Sequence, residues 1–279
     1  MNLLYRRNIM YPNQGWLYQP TKQAIVGAFG ADGWAVIKAT NDYLNQLAAS
    51  DRDKATALAA LINEDPMMVC SLGLEVEGVT MPIRILIGDG ASCIDLGKKF
   101  KYYEAGGEIL FDNLKTLLNK NAVPFGTGVD QIYSRLLLIN NQFCMTVGTP
   151  IGDSQMGAVT TGTWYNIRFI VGRSEQSFYI GTTKKYSQNK SVQDPNVNPY
   201  FFAGNMKEAD TPRWTLMRAK YWYMKEDGME VMRLVPFVSQ TRDGMVDLVA
   251  GVFHPNQGTG HFTDAYTLPD GTTWTPSTP

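Results

Sequence analysis

Two runs rich in aromatic and β-branched residues, Ala219 to Met224 and Val231 to Val238, flank the dipeptide Asp227-Gly228. Asp-Gly supplies the positive-φ positions that a tight hairpin turn needs, so the two runs are expected to pair antiparallel. Asp243-Gly244 and Ala250-Gly251 repeat this punctuation at short spacing, ahead of a closing strand that ends at Phe262. That is the pattern of an all-β sandwich or barrel. Within the first run Tyr221, Trp222 and Tyr223 are consecutive, so alternate rings must point to opposite faces of the sheet. If Trp222 faces the core, the two tyrosines lie outside, or the reverse. Exposed aromatics can stack on sugars, although packing is their commoner use.

The same residues carry a family resemblance. Tyr221, Tyr223, Asp227, Gly228, Arg233, Leu234, Val235 and Pro236 form one hairpin signature; Gly244, Met245, Asp247, Leu248, Val249, Gly251 and Phe253 follow, closed by Asn256, Gly258, Thr259, Gly260 and Phe262. This order resembles the C-terminal part of laminin-G-like, concanavalin A-like jelly-roll domains, which are common in structural and fibre proteins of tailed bacteriophages. Upstream, Gly90 to Gly97 stands where that family has an opening strand, with Cys93 as a departure, and Gly107 to Asp112 follows as the next strand. The resemblance covers about residues 82 to 265. It implies a concanavalin-like antiparallel sandwich, a virion protein made in the bacterial host cytoplasm, and trimeric association.

Composition narrows the function classes. With 25 basic and 26 acidic residues the formal charge is −1, which leaves no field of one sign to gather nucleic acid or an anionic membrane. Partner recognition then rests on shape and local contacts. Cys70, Cys93 and Cys144 are odd in number and lack a Cys-x-x-Cys spacing, so buried thiols are expected rather than disulfides or zinc ligands. The N-terminus has no long apolar core behind Arg6 and Arg7, which does not support Sec-type secretion. No run approaches the roughly 18 apolar residues of a membrane helix.

The chain divides into an arm with a helical hairpin over 1–80 for anchoring or assembly, a sandwich over 81–265, and a tail over 266–279. Residues 1–30 mix aromatics with turn formers and read as short extended pieces. Between Asp32 and Ile62, Trp34, Ile37, Leu44 and Leu47, then Leu58 and Ile62, recur near a 3.6-residue period and are the candidate assembly residues. Ser50 to Asp53 offers a new helix start, and Pro66 ends the second helix. Stepping from Ile37 by heptad spacing reaches Asn41 and then Asp51, so no long coiled-coil stalk is written here. From Met68 onward strands are expected, beginning with Met68 to Val76. Asn140-Asn141 and Gly172 to Ser174 are expected hairpin turns, and Asn113 to Lys120 is a helical turn or a strand.

Few constellations carry chemistry. Glu208-Ala-Asp210 is the nearest string to the paired carboxylates of sandwich glycosidases, but Pro212 breaks the strand and Arg213 occupies the last position. His254 and His261 flank a turn without a third ligand at suitable spacing. Gly88-Asp-Gly90 and Gly126-Thr-Gly128 read as turns, since no helix with Lys-Ser/Thr follows. Lys98 to Tyr103 reads as a strand edge guarded by lysines. The reading is therefore a non-enzymatic virion protein, a fibre or decoration of head or tail. Its sandwich is expected to display a lectin-like surface to host glycans, with no cofactor and no catalytic residue. The alternatives are a glycan depolymerase on the same fold and a bacterial surface adhesin.

Overall fold

The computed structural model describes residues 15–114, 122–129, 132–148, 154–189, 197–206 and 213–277. Helices α1 (Gln19–Phe29), α2 (Gly33–Ser50) and α3 (Arg52–Glu64) come first, followed by a 3-10 turn over Pro66–Ser71. Strands β1 (Ile83–Gly88), β2 (Ile94–Asp95), β3 (Tyr103–Phe111), β4 (Phe125–Val129), β5 (Ile132–Ile139), β6 (Gln142–Gly148) and β7 (Ser154–Ala158) follow. Next are β8 (Trp164–Val171), β9 (Glu175–Ile180), β10 (Thr183–Asn189), β11 (Tyr200–Phe201), β12 (Ala203–Met206) and β13 (Arg213–Trp214). The chain closes with β14 (Met217–Glu226), β15 (Met229–Val238), β16 (Asp243–Asp247), β17 (Val252–Pro255), β18 (Phe262–Thr267) and β19 (Thr273–Trp274).

Among the described residues these strands form two sheets, antiparallel throughout except where β12 runs parallel to β4. The larger runs β10-β9-β8-β3-β14-β1-β18-β19, and the smaller β13-β12-β4-β5-β6-β7, with β11 joining β2 to β4. Their inner faces meet in one aromatic-rich core. Trp222 of β14 is fully buried there, stacked on Phe201 at 4.6 Å and tilted against Phe125 at 4.9 Å. The protein is thus a mainly β, two-sheet antiparallel sandwich preceded by helices, as the strand pattern predicts.

The larger sheet forks. The first half of β14 pairs with β1, Ala219 lying opposite Leu86, whereas its second half pairs with β15, Trp222 lying opposite Leu234. Between those registers Lys220 has no partner on β3, because a bulge separates Ala219 from Tyr221. A bulge bends its strand and re-aims the extra side chain. At the far end of the fork, buried polar groups replace the missing ladder. Arg84 of β1 donates to Asp65 at 2.5 Å and to the Val238 carbonyl at 3.1 Å, and the Val238 N–H donates to Asp65 at 3.0 Å. Arg84 also contacts Asp264 at 2.7 Å. Burial alone would lower the Arg84 guanidinium, but Asp65, Tyr266 and Asp264 hold it well above its ordinary value. Burial raises the Asp65 carboxyl against the pull of Arg84.

The helices cover part of the outer face of this sheet. Ile25, Val36, Ile37, Leu44, Leu58 and Ile62 share one core with Val235, Phe237 and Val246 of β15 and β16. Asp51 caps α3 by accepting from the Lys54 N–H at 3.0 Å, so the predicted break between two helices is present, one residue beyond Ser50. The C-terminal segment returns to the same side, where Trp274 packs on Phe29 at 5.2 Å and on Tyr266.

Several expectations change. The arm over 1–30 includes a helix, α1, since Pro20 falls in its first turn, where a missing N–H costs nothing; residues 1–14 lie outside the described residues. The strand expected from Met68 is a 3-10 turn with Met68 and Val69 buried, a short apolar run whose period does not separate strand from helix. Asp243-Gly244 lies within β16 rather than in a turn. The turn is Ser239 to Arg242, where the Ser239 hydroxyl accepts from the N–H groups of Thr241 and Arg242. Glycine is needed at 244 because a Cβ there would sit 2.2 Å from the His254 carbonyl oxygen of β17. Gly126 to Gly128 belong to β4, and Lys98 to Tyr102 precede β3 rather than forming its edge. Most of Asn113 to Lys120 lies outside the described residues.

The Asn256 to Phe262 signature proves to be a latch. Asn256 accepts from the N–H groups of Cys93 and Gly258 and donates to the Gly260 carbonyl at 2.7 Å. Asp89 accepts from Ala91, Ser92 and the His261 N–H, each at 2.8 Å. Burial works to raise the Asp89 carboxyl, but these donors together hold it below its ordinary value. The latch is therefore strongest above the unfolded carboxylate pKa of about 3.9 and is lost as pH falls through the lower folded value. A Cβ on Gly258 would lie 1.9 Å from the Ala91 carbonyl oxygen. Gly258→Ala is expected to cost about 1–3 kcal/mol, measured by chemical unfolding; an unchanged midpoint would mean that the loop is not a latch.

Candidate functional site

The outer face of the larger sheet beside the helices is the candidate site. Cross-strand register places Tyr221 opposite Glu108, Tyr223 opposite Gly106, and Lys225 opposite Glu104. With Trp222 inward, Tyr221 and Tyr223 face outward, which resolves the choice left open by the sequence. Tyr223 lies across Gly106, where a Cβ would come within 2.9 Å of its hydroxyl, and donates to Glu104 at 2.9 Å. Burial, with Glu104 beside it, pushes the Tyr223 phenol well above its ordinary value, so it stays protonated and donating. Each outward ring carries a cation: Arg168 lies 4.0 Å from the Tyr179 centroid, Lys220 4.6 Å from Trp164, and Arg233 5.4 Å from Tyr221. Such pairs contribute about 0.5–1 kcal/mol each at exposed sites.

At the fork this face opens into a pocket of about 450 Å³. It is lined by the segment from Cys70 to Gly73 together with Glu108 of β3, Lys220 and Tyr221 of β14, and Arg233 and Val235 of β15. Its volume is that of an ordinary small-ligand site. The bulge that frees Lys220 from the β3 ladder lets its ammonium ion-pair with Glu108 at the rim. Glu230 holds Arg233 by two hydrogen bonds, 2.7 and 2.9 Å. Burial pushes the Cys70 thiol up to about 12, so no thiolate nucleophile forms there near neutral pH. The Tyr221 phenol is likewise raised, by burial first and then by Glu108.

The sequence-predicted assembly residues divide. Ile37, Leu44, Leu58 and Ile62 lie in the core shared with the sheet, and Leu47 packs at its margin. Trp34 is 62% exposed beside an apolar groove lined by Lys22, Ala24, Val26 and Gly27 of α1. His254 and His261 do not form a pair: the first contacts the Asp95 carbonyl at 3.1 Å and the second Asp243 at 3.2 Å. Among the described residues no cluster of three His, Cys, Asp or Glu side chains could hold a metal, no disulfide joins the three cysteines, and no helix is long and apolar enough to cross a membrane. Glu208 and Asp210 lie outside the described residues. The sequence reading placed Arg233 only in the hairpin signature and Glu108 only in a strand, and did not single out Lys220 or Trp164, because only strand register brings the four together.

No family model matches the chain, and no curated protein does. Solved structures are similar in arrangement. A Bacteroides ovatus protein provisionally assigned to carbohydrate binding is 11% identical, with 70% of this chain and 62% of the other covered, at a TM-score of 0.49. Domains LG4-5 of the mouse laminin α1 chain are 10% identical over 70% of this chain and 50% of theirs, at 0.45. Domain 4 of an extracellular arabinanase from Geobacillus stearothermophilus is 18% identical over 50% of this chain and 69% of the domain, at 0.40. The chain thus spans about three-fifths of the first of these proteins and half of the second. What the fork pocket does must follow from its own residues.

Proposed function

We propose that this chain is a non-catalytic display module of a phage particle, a fibre or decoration protein, which holds a host-surface carbohydrate on the outer face of its larger sheet. The observation that carries this reading is the fork pocket, where Tyr221 supplies an apolar ring beside a rim of fixed ion pairs. That combination suits a sugar, which offers a C–H face to an aromatic ring and hydroxyls to charged hydrogen-bonding groups. The sequence resemblance to phage sandwich domains supports the setting. Exposed Trp34 supports contact with other virion proteins or with sister chains in a trimer.

Against a depolymerase stands the pairing of the outward carboxylates on β3, since a glycosidase needs its two carboxyl groups free to act as acid and as base or nucleophile. Glu108 is held by Lys220, and Glu104 by Tyr223 and Lys225. Tyr221→Ala is expected to weaken glycan binding about tenfold or more while leaving the fold intact. Glycan-array or calorimetric titration with parallel thermal unfolding checks this. Release of reducing ends from a bound polymer, abolished by a single carboxylate change, would instead establish the enzyme. Locating the chain in intact particles tests the virion setting.

A further inference from the structure

We infer, resting on the reading of the fork pocket as a sugar site, that its ligand is a neutral glycan and not an acidic one. Every cation lining the pocket is already neutralised within the protein. Lys220 pairs with Glu108, Arg233 with Glu230 through two hydrogen bonds, and buried Arg84 with Asp65 and Asp264. The three lining cations are therefore paired with four carboxylates, of which Glu108 lines the cavity itself. A uronate, sialate or sulfate entering it would lose water without meeting an uncompensated positive charge, and an unpaired anion removed from water is strongly disfavoured. Apolar Leu72, Ile83, Val235 and Leu248 complete the lining and suit the C–H face of a pyranose. A ring hydroxyl can both accept from Lys220 and donate to Glu108, so a neutral sugar can add to that pair without breaking it.

Glu108 is then the selector. Glu108→Gln keeps the side-chain shape and a hydrogen-bonding group but releases the Lys220 charge, which should admit acidic sugars. The test is calorimetric titration of the whole chain with tetrasaccharides of glucose, mannose and N-acetylglucosamine, and with tetragalacturonate and sialyllactose. The wild-type protein is expected to bind at least one neutral probe, to bind the acidic probes about tenfold more weakly or less, and to change little with added salt. Glu108→Gln is expected to gain about tenfold for an acidic probe. Should that variant fold poorly by circular dichroism, Glu230→Gln, which frees Arg233, is expected to shift preference in the same direction. Wild-type preference for an acidic probe overturns the neutral-ligand inference and leaves the sugar reading standing. Binding to none of the probes overturns both, and unchanged selectivity in a folded Glu108→Gln protein overturns the role given to Glu108.

Discussion

Replacing Arg84 by alanine is expected to lower stability by about 3–5 kcal/mol, the cost of leaving a buried ionic partner without its counter-charge. Arg84 is 2% exposed and is held by Asp65, Asp264 and the Val238 carbonyl. Its loss therefore strands two carboxylates and one backbone acceptor where β1 and β15 lie side by side without pairing. Against the usual 5–15 kcal/mol of a folded domain this is a large fraction, and the melting temperature should fall on the order of 10 °C. Asp65→Asn is expected to cost less, because an amide oxygen still accepts from the Val238 N–H and Arg84 keeps Asp264. Equilibrium unfolding in guanidinium chloride measures both. A drop of less than about 1 kcal/mol for Arg84→Ala, within the range of ordinary surface substitutions, would mean that the fork is held by apolar packing alone.

Trp222→Ala is expected to be comparably severe, about 3–5 kcal/mol, since it empties the centre of the sandwich where Phe125, Phe169 and Phe201 meet one ring. Trp222→Phe separates packing from polarity. The indole N–H of Trp222 is buried and has no hydrogen-bond partner among the described residues, so phenylalanine removes that donor together with part of the volume. It should cost distinctly less than alanine. If both substitutions cost the same in chemical unfolding, the stacking on Phe201 does not organise the core.

Much of the sandwich was legible because its turns leave little freedom. Asp227 and Gly228 both take positive φ, 48° and 80°, as do Asn140 and Asn141 at 49° and 60°, and a two-residue turn sets the pairing of the residues next to it, in the first hairpin as far as the bulge beside Met224. The helical break was legible for a similar reason: Asp51 closes the first turn of α3 with its own side chain. Local chemistry failed where it admits two answers. Pro20 marks a turn or opens a helix, and Met68 to Cys70 fits a strand as well as a 3-10 turn until the sheet beneath is known. Gly244 read as a turn because its requirement, the close approach of β17, comes from a neighbouring strand rather than from its own segment. Alternation put Tyr221 and Tyr223 on one face but could not reveal the pocket beside them. Lys220 reaches Glu108 because one residue of β14 is skipped, and Trp164 and Arg233 arrive from two further strands.

The fork has a mechanical consequence. Asp65 closes the helical segment, and its carboxylate grips the guanidinium of Arg84, whose own side chain also lines the cavity between β1 and β15. A tug on α3 is thereby delivered to the strands that set the width of that cavity. Whatever tethers the helices thus shares a lever with whatever the sheet grasps.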